Sequence, residues 1–128
     1  MNISVSYICF RLCEKYFCIK LEIIDSITPY QEIIELPYSI NNVKGVIKYK
    51  TSVIPIIDLV KILKLSINEP AIMPSTKIII AKYKDEIIGI LADEVKGILD
   101  KNNFENNNLI NIDFKDVKIL ELDKLLEP

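Results

Sequence analysis

From residue 3 to residue 12 polar and apolar side chains alternate with period two, Ile3-Ser4-Val5-Ser6-Tyr7-Ile8-Cys9-Phe10-Arg11-Leu12. That is the repeat of a strand with one face on a core. Glu14-Lys15 supply a polar turn before Tyr16-Phe17-Cys18-Ile19-Lys20-Leu21, so the first element is a hairpin. A further extended run, Ile23 to Ile27, stops at Thr28-Pro29, and Leu36 to Asn42 reads as a loop with room for one helical turn. Val43 to Ile57 reads as two strands hinged near Lys50-Thr51-Ser52. Asp58 stands where a helix N-cap belongs, and residues 59–65 place their apolar side chains on one side of a short helix.

The segment from Ser66 to Thr76 holds Asn68, Pro70 and Pro74 with little apolar periodicity, which marks a connector between two halves. Beyond it the pattern predicts a hairpin of Lys77–Tyr83 and Glu86–Ala92 across Lys84-Asp85, then a strand over 95–99. Asn106-Asn107-Asn108 interrupts the pattern before short strands at 109–112 and 117–122, and the tail from Leu122 repeats the form of an acidic residue opening a small apolar helix. Each half is thus several short strands closed by a helix, which predicts a mainly β chain of two similar small barrels. Val53-Ile54, Ile56-Ile57, Ile78-Ile79-Ile80 and Ile87-Ile88 are apolar at every position. Strands greasy on both faces need a second surface to cover the outer one, and either a second barrel or a partner protein supplies it.

Length and composition narrow the chemistry. A chain of 128 residues, half of them hydrophobic, buries enough surface to fold as one compact unit without disulfides. A formal net charge of −2 provides no global field for nucleic acid or anionic lipid. Histidine is absent, and no Gly-rich phosphate loop, GxSxG or cluster of carboxylates at metal spacing occurs, so the usual sources of a general base or activated nucleophile are missing. Cys9, Cys13 and Cys18 lack CxxC spacing and read as small hydrophobes of the core, in a reduced, cytoplasmic chain. No apolar run approaches the roughly 18 residues of a membrane span, and no leader pattern opens the sequence. Asp93-Glu94 reads as a strand-end turn. Lys44, Lys48 and Lys50 share strand parity, which aims their ammonium groups at one face and Tyr49 at the other.

Two stretches carry a family likeness. Gly45 to Leu59 is similar to the signature of the CheW-like chemotaxis adaptors: Gly, two apolar residues, Asn-Leu-Arg-Gly, any residue, two apolar residues, Pro, two apolar residues, Asp-Leu. Gly89-Ile90-Leu91-Ala92-Asp93-Glu94-Val95 resembles the same family's Gly, three apolar residues, Asp, any residue, Val. Phe10-Arg11-Leu12 with Tyr16 to Ile19 resembles its opening hairpin, and Ile119 to Leu126 its closing strand and helix.

That resemblance implies two SH3-like five-stranded β-barrels packed together, about 14–65 and 76–122 with terminal segments exchanging between them. It implies an adaptor with no catalytic activity and no cofactor, joining the regulatory domain of a CheA-type histidine kinase to the cytoplasmic tip of chemoreceptors, without membrane insertion. By position it implies Ile24, Ser26, Ile27, Lys48, Lys50 and Ile98 beside the receptor groove, and Gly45, Pro55, Asp58, Gly89 and Asp93 as structural signature residues.

The chain departs from the family where Lys48-Tyr49-Lys50-Thr51 replaces Asn-Leu-Arg-Gly and Ser26 replaces a glutamate. Lysine keeps the charge but loses the planar fork, and serine supplies no countercharge, which predicts weaker recognition by an aimed guanidinium. Nucleic acid is not among the implied partners. A small-barrel nucleic-acid binder using Lys44, Lys48 and Lys50 stays open as the second reading, as does a CheW-like domain serving another kinase pathway.

Overall fold

The computed structural model describes residues 5–38, 40–66, 68–100 and 116–126. The first hairpin is β1 (Ser6–Leu12) and β2 (Lys15–Lys20), closed by Cys13-Glu14, one residue earlier than the polar pair predicted. Both turn residues have positive φ, 53° and 64°, as a two-residue turn must to follow the right-handed twist of its strands. A 3-10 turn at Leu21–Ile23 leads to β3 (Ile24–Pro29). This strand runs through Thr28-Pro29 instead of stopping there, because β3 is an edge strand, where a proline's missing N–H costs no ladder bond.

β4 (Val43–Tyr49) and β5 (Ser52–Ile57) follow as expected. Asp58 then caps α1 (Leu59–Ile62), its Oδ1 accepting the N–H of Lys61 at 3.1 Å. The helix is shorter than the predicted 59–65, since Lys64 turns to a left-handed φ of 53°. β6 (Lys77–Tyr83) and β7 (Glu86–Ala92) form the second hairpin within the predicted bounds, and β8 (Glu94–Asp100), β9 (Val117–Ile119) and α2 (Leu122–Leu126) complete the described elements. The predicted strand at 109–112 lies outside the described residues.

Two sheets result, with strand orders β8-β1-β2-β9 and β3-β6-β7-β5-β4. Strand membership cuts across the connector: β6 and β7 pair with β3 and β5, while β8 and β9 flank β1 and β2. Among the described residues one sheet therefore has five strands and the other four, and neither closes on itself by backbone pairing.

Strand parity sorts the apolar side chains into layers. Ile8, Phe10, Leu12, Phe17 and Ile19 of the four-stranded sheet meet Ile57, Ile79, Ala81, Ile88, Ile90 and Ala92 of the five-stranded one in a single central cluster, closed by Leu59, Leu120 and Leu122. The intervening residues face outward into two further clusters. Ile47, Ile54, Ile56, Ile78, Ile80 and Leu91 pack together on the five-stranded sheet, and Tyr7, Cys9, Cys18 and Leu99 back the other. Most of the strands apolar at every position are thus covered on both faces within one chain, Val53 being the exception at 63% exposed. Each fully buried isoleucine contributes about 1.5–3 kcal/mol relative to exposure.

Gly45 and Gly89 are needed for space. The segment before β4 crosses it at Ile34, which exchanges two backbone hydrogen bonds with Val46 (2.8 and 2.9 Å) and so covers the sheet's open edge. A Cβ on Gly45 would stand 2.5 Å from the Ile34 carbonyl oxygen, whereas one on Gly89 would meet the Cδ1 end of Ile56, also at 2.5 Å. Pro55 sits in β5 just before that strand begins its parallel pairing with β7 at Ile56 and Ile57, opposite Val46. Gly45→Ala is therefore expected to cost about 1–3 kcal/mol of stability and more than Gly89→Ala, because backbone yields less than a side-chain tip. Urea unfolding of both variants checks this, and a larger loss at Gly89 would refute it.

Candidate partner-binding surface

The five-stranded sheet curls until its two edges meet. β3 and β4 stand at opposite ends of the strand order, yet their side chains touch across the gap. The pairing of β3 with β6 steps from Ile24 opposite Ala81 to Ser26 opposite Ile80, which leaves Asp25 as the extra residue of a bulge. The bulge lets Asp25 and Ser26 both reach Tyr49. The Tyr49 hydroxyl donates to Asp25 Oδ2 at 2.6 Å, and with its one proton so committed it accepts from Ser26 Oγ at 2.7 Å. Lys50 follows in the β4–β5 turn with a left-handed φ of 55°. Its Nζ lies 5.2 Å from the Tyr49 ring centroid and 3.9 Å from Asp25 Oδ2.

The expected receptor-side residues therefore divide. Ser26 and Lys50 converge on the Asp25–Tyr49 pair. Lys48 is exposed on the same strand, its carbonyl accepting from Gln31 Nε2 at 2.7 Å. Ile27 is 37% exposed on β3, while Ile24 is half-buried against the central cluster. Ile98, 60% exposed, lies on β8, the edge strand of the other sheet.

Asp25 and Tyr49 were not singled out by sequence reasoning, because no residue pattern announces a bulge and strand parity aims Tyr49 away from Lys50. The three lysines of the expected common face are not equally free. Lys44 is itself the extra residue where β4 passes from Val43 to Gly45, and it pairs with Glu69 Oε1 at 2.7 Å with its side chain only 20% exposed. A three-lysine groove for nucleic acid has lost one of its members to an internal ion pair.

Asp93 ties the corner between the sheets. Its Oδ2 accepts the N–H of Cys13 at 2.9 Å and stands 3.7 Å from Arg11 Nη1; its own N–H donates to the Arg11 carbonyl at 2.8 Å, and its carbonyl accepts from Ser75 Oγ at 2.8 Å. The β7–β8 corner is thereby fixed to the left-handed turn of the first hairpin. Glu94 faces Lys96 at 2.7 Å, and that hydrogen bond holds its carboxyl below the usual carboxylate range. Asp93 and Glu94 thus serve different partners and make no acid–base pair.

Among the described residues no three His, Cys, Asp or Glu side chains gather as a metal site would require, and no helix is long and apolar enough to cross a membrane. Cys9 and Cys18 are opposite one another across β1 and β2, both fully buried. Burial pushes the Cys9 thiol up to about 11, against a smaller pull from Lys96, and the Cys18 thiol up to about 12, with the neighbouring Cys9 adding to it.

The comparisons with known proteins agree with this architecture. The CheW-like domain family matches residues 6–122. A chemotaxis protein CheW of Thermotoga maritima is 28% identical over 92% of this chain and 85% of its own length. One of Rhizobium meliloti is 30% identical over 72% of this chain and 58% of its own. The crystal structure of a CheW scaffolding protein from Thermoanaerobacter tengcongensis superposes with a TM-score of 0.77, covering 98% of this chain and 94% of that one at 20% identity. The chain belongs to the CheW-like domain family.

The paired thiols carry a pH prediction. Their folded values exceed the ordinary 9.0, so the stability they contribute is whole below about 9 and is lost as pH rises through the folded values. The urea midpoint is expected to fall between pH of about 8 and about 10.5, and to fall less in a Cys9→Ala/Cys18→Val variant. An equal fall in both proteins would contradict the assignment.

Proposed function

We propose that this chain is a non-enzymatic coupling adaptor of chemotaxis signal transduction, holding the regulatory domain of a CheA-type histidine kinase against the cytoplasmic tip of a chemoreceptor. Family membership over nearly the whole described chain is the observation that carries this reading. The surface supports it as well. The three cysteines are free thiols, which suits a reducing cytoplasm. Ile27, Val53 and Ile98 leave apolar area uncovered around a rigid double-sheet frame, as a protein does whose work is to be gripped.

The receptor side is assigned to the β3–β4 seam, with Ser26, Ile27, Lys48 and Lys50, and extends toward Ile98. Ile24 contributes mainly from beneath, since it already packs on the central cluster. Ile27 is 37% exposed, so covering the rest of it at a partner is worth about 0.5–1 kcal/mol before ordering costs, and an aspartate there adds the cost of burying a charge.

Titration of the purified protein with a CheA regulatory domain and, separately, with a receptor-tip hairpin tests the proposal. Both are expected to bind, and Ile27→Asp is expected to weaken the receptor complex about tenfold or more while leaving the kinase complex and the melting temperature in place. Absence of both wild-type complexes would overturn the adaptor reading.

A further inference from the structure

We propose that Tyr49 is a positioning residue for partner recognition: through Asp25 it aims the Lys50 ammonium outward, and so makes an acidic side chain of the receptor segment the group this seam selects. The inference rests on the receptor-side reading given above.

Donor and acceptor capacities around the phenol lead to it. Its single proton goes to Asp25 and its lone pair takes the Ser26 proton, so the hydroxyl is engaged on both counts and Ser26 Oγ has used its donor inside the protein. Lys50 is placed differently. At 3.9 Å from Asp25 Oδ2 it is attracted without being hydrogen-bonded, and its side chain is 73% exposed, so its donors face solvent.

The same Oδ2 that receives the phenol proton is the nearest carboxylate oxygen to the ammonium. Asp25 is thus held at 2.6 Å by Tyr49 and acts on Lys50 at longer range. Removing the hydroxyl frees a bulged carboxylate, which then either turns to solvent or closes on Lys50 as an ordinary ion pair. The first outcome leaves the ammonium exposed but no longer aimed, and the second draws it back onto the protein. Lys48 is the other exposed cation of this strand, so Lys48 and Lys50 against Asp25 leave the seam net positive on a chain that is net negative. The complementary group is a carboxylate, presented beside apolar side chains that meet Ile27.

A double-mutant cycle with a receptor-tip hairpin tests this. Tyr49→Phe keeps the ring under Lys50 and removes only the hydroxyl. It is expected to weaken binding about five- to tenfold, with Lys50→Ala doing the same and the double variant no worse than Lys50→Ala alone, because one residue acts through the other. Wild-type affinity is expected to fall with added salt more steeply than that of either variant. Asp25→Asn keeps an oxygen for the phenol proton and removes the carboxylate charge that positions Lys50; it is expected to weaken binding similarly, and it stands in should Tyr49→Phe fail to fold.

Thermal midpoints recorded on the same proteins separate positioning from scaffolding, since a merely structural Tyr49 would lower the midpoint and add to Lys50→Ala in binding. Wild-type affinity in Tyr49→Phe, or additive losses in the cycle, would overturn the inference and leave the receptor-side reading intact. Failure of the wild-type protein to bind the hairpin would remove both.

Discussion

The rest of the molecule depends on one shared apolar layer. The strands of both sheets turn isoleucine, leucine and phenylalanine into the space between them, and Leu59, Leu120 and Leu122 close it. Neither sheet can bury its inner face without the other. β-branched side chains suit this arrangement: they are stiff at χ1 and pack well on a pleated surface, so many isoleucines cost little ordering for the area they bury. Most of the outer faces are then covered by smaller clusters, which explains why strands apolar along nearly their whole length are packed within one chain.

Given that layer, the polar residues of the frame have defined jobs. Asp93 secures the corner where the chain passes from β7 in one sheet to β8 in the other, and it does so by holding the backbone of the first hairpin. Gly45 makes room for the covering segment that closes the β4 edge, and Gly89 lets β7 approach Ile56. What the frame leaves uncovered is a polar seam between β3 and β4 with apolar residues nearby. An adaptor needs that combination: a surface stiff enough to lose little entropy on binding and chemically particular enough to choose its partner.

Much of this could be read from the residues. Alternation located the hairpins, the apolar runs announced strands covered twice, Asp58 marked a helix start, and the Gly45–Leu59 and Gly89–Val95 stretches carried the family. What escaped was whatever depends on a shift of one residue. Bulges at Lys44 and Asp25 invert side-chain parity locally, so a lysine counted on an outer face is paired to Glu69 and an aspartate with no apparent role becomes the counterion of Lys50. The loss of the family's glutamate at Ser26 looked like a missing charge. In the folded chain the charge comes from the preceding residue, Asp25. The partition of strands between sheets was equally hidden, since it is decided by pairings between residues far apart in sequence, such as Cys18 with Ile119.

The claim that one layer holds both sheets is tested most directly by native-state hydrogen exchange in Ile79→Ala. Ile79 is fully buried in the central cluster and belongs to the five-stranded sheet. Truncating it is expected to cost about 2–5 kcal/mol and to lower the opening free energies of amides in β1 and β2 by the same amount as those in β6 and β7. Amides of β1 and β2 that keep their protection while β6 and β7 lose theirs would show two independent cores and contradict the account.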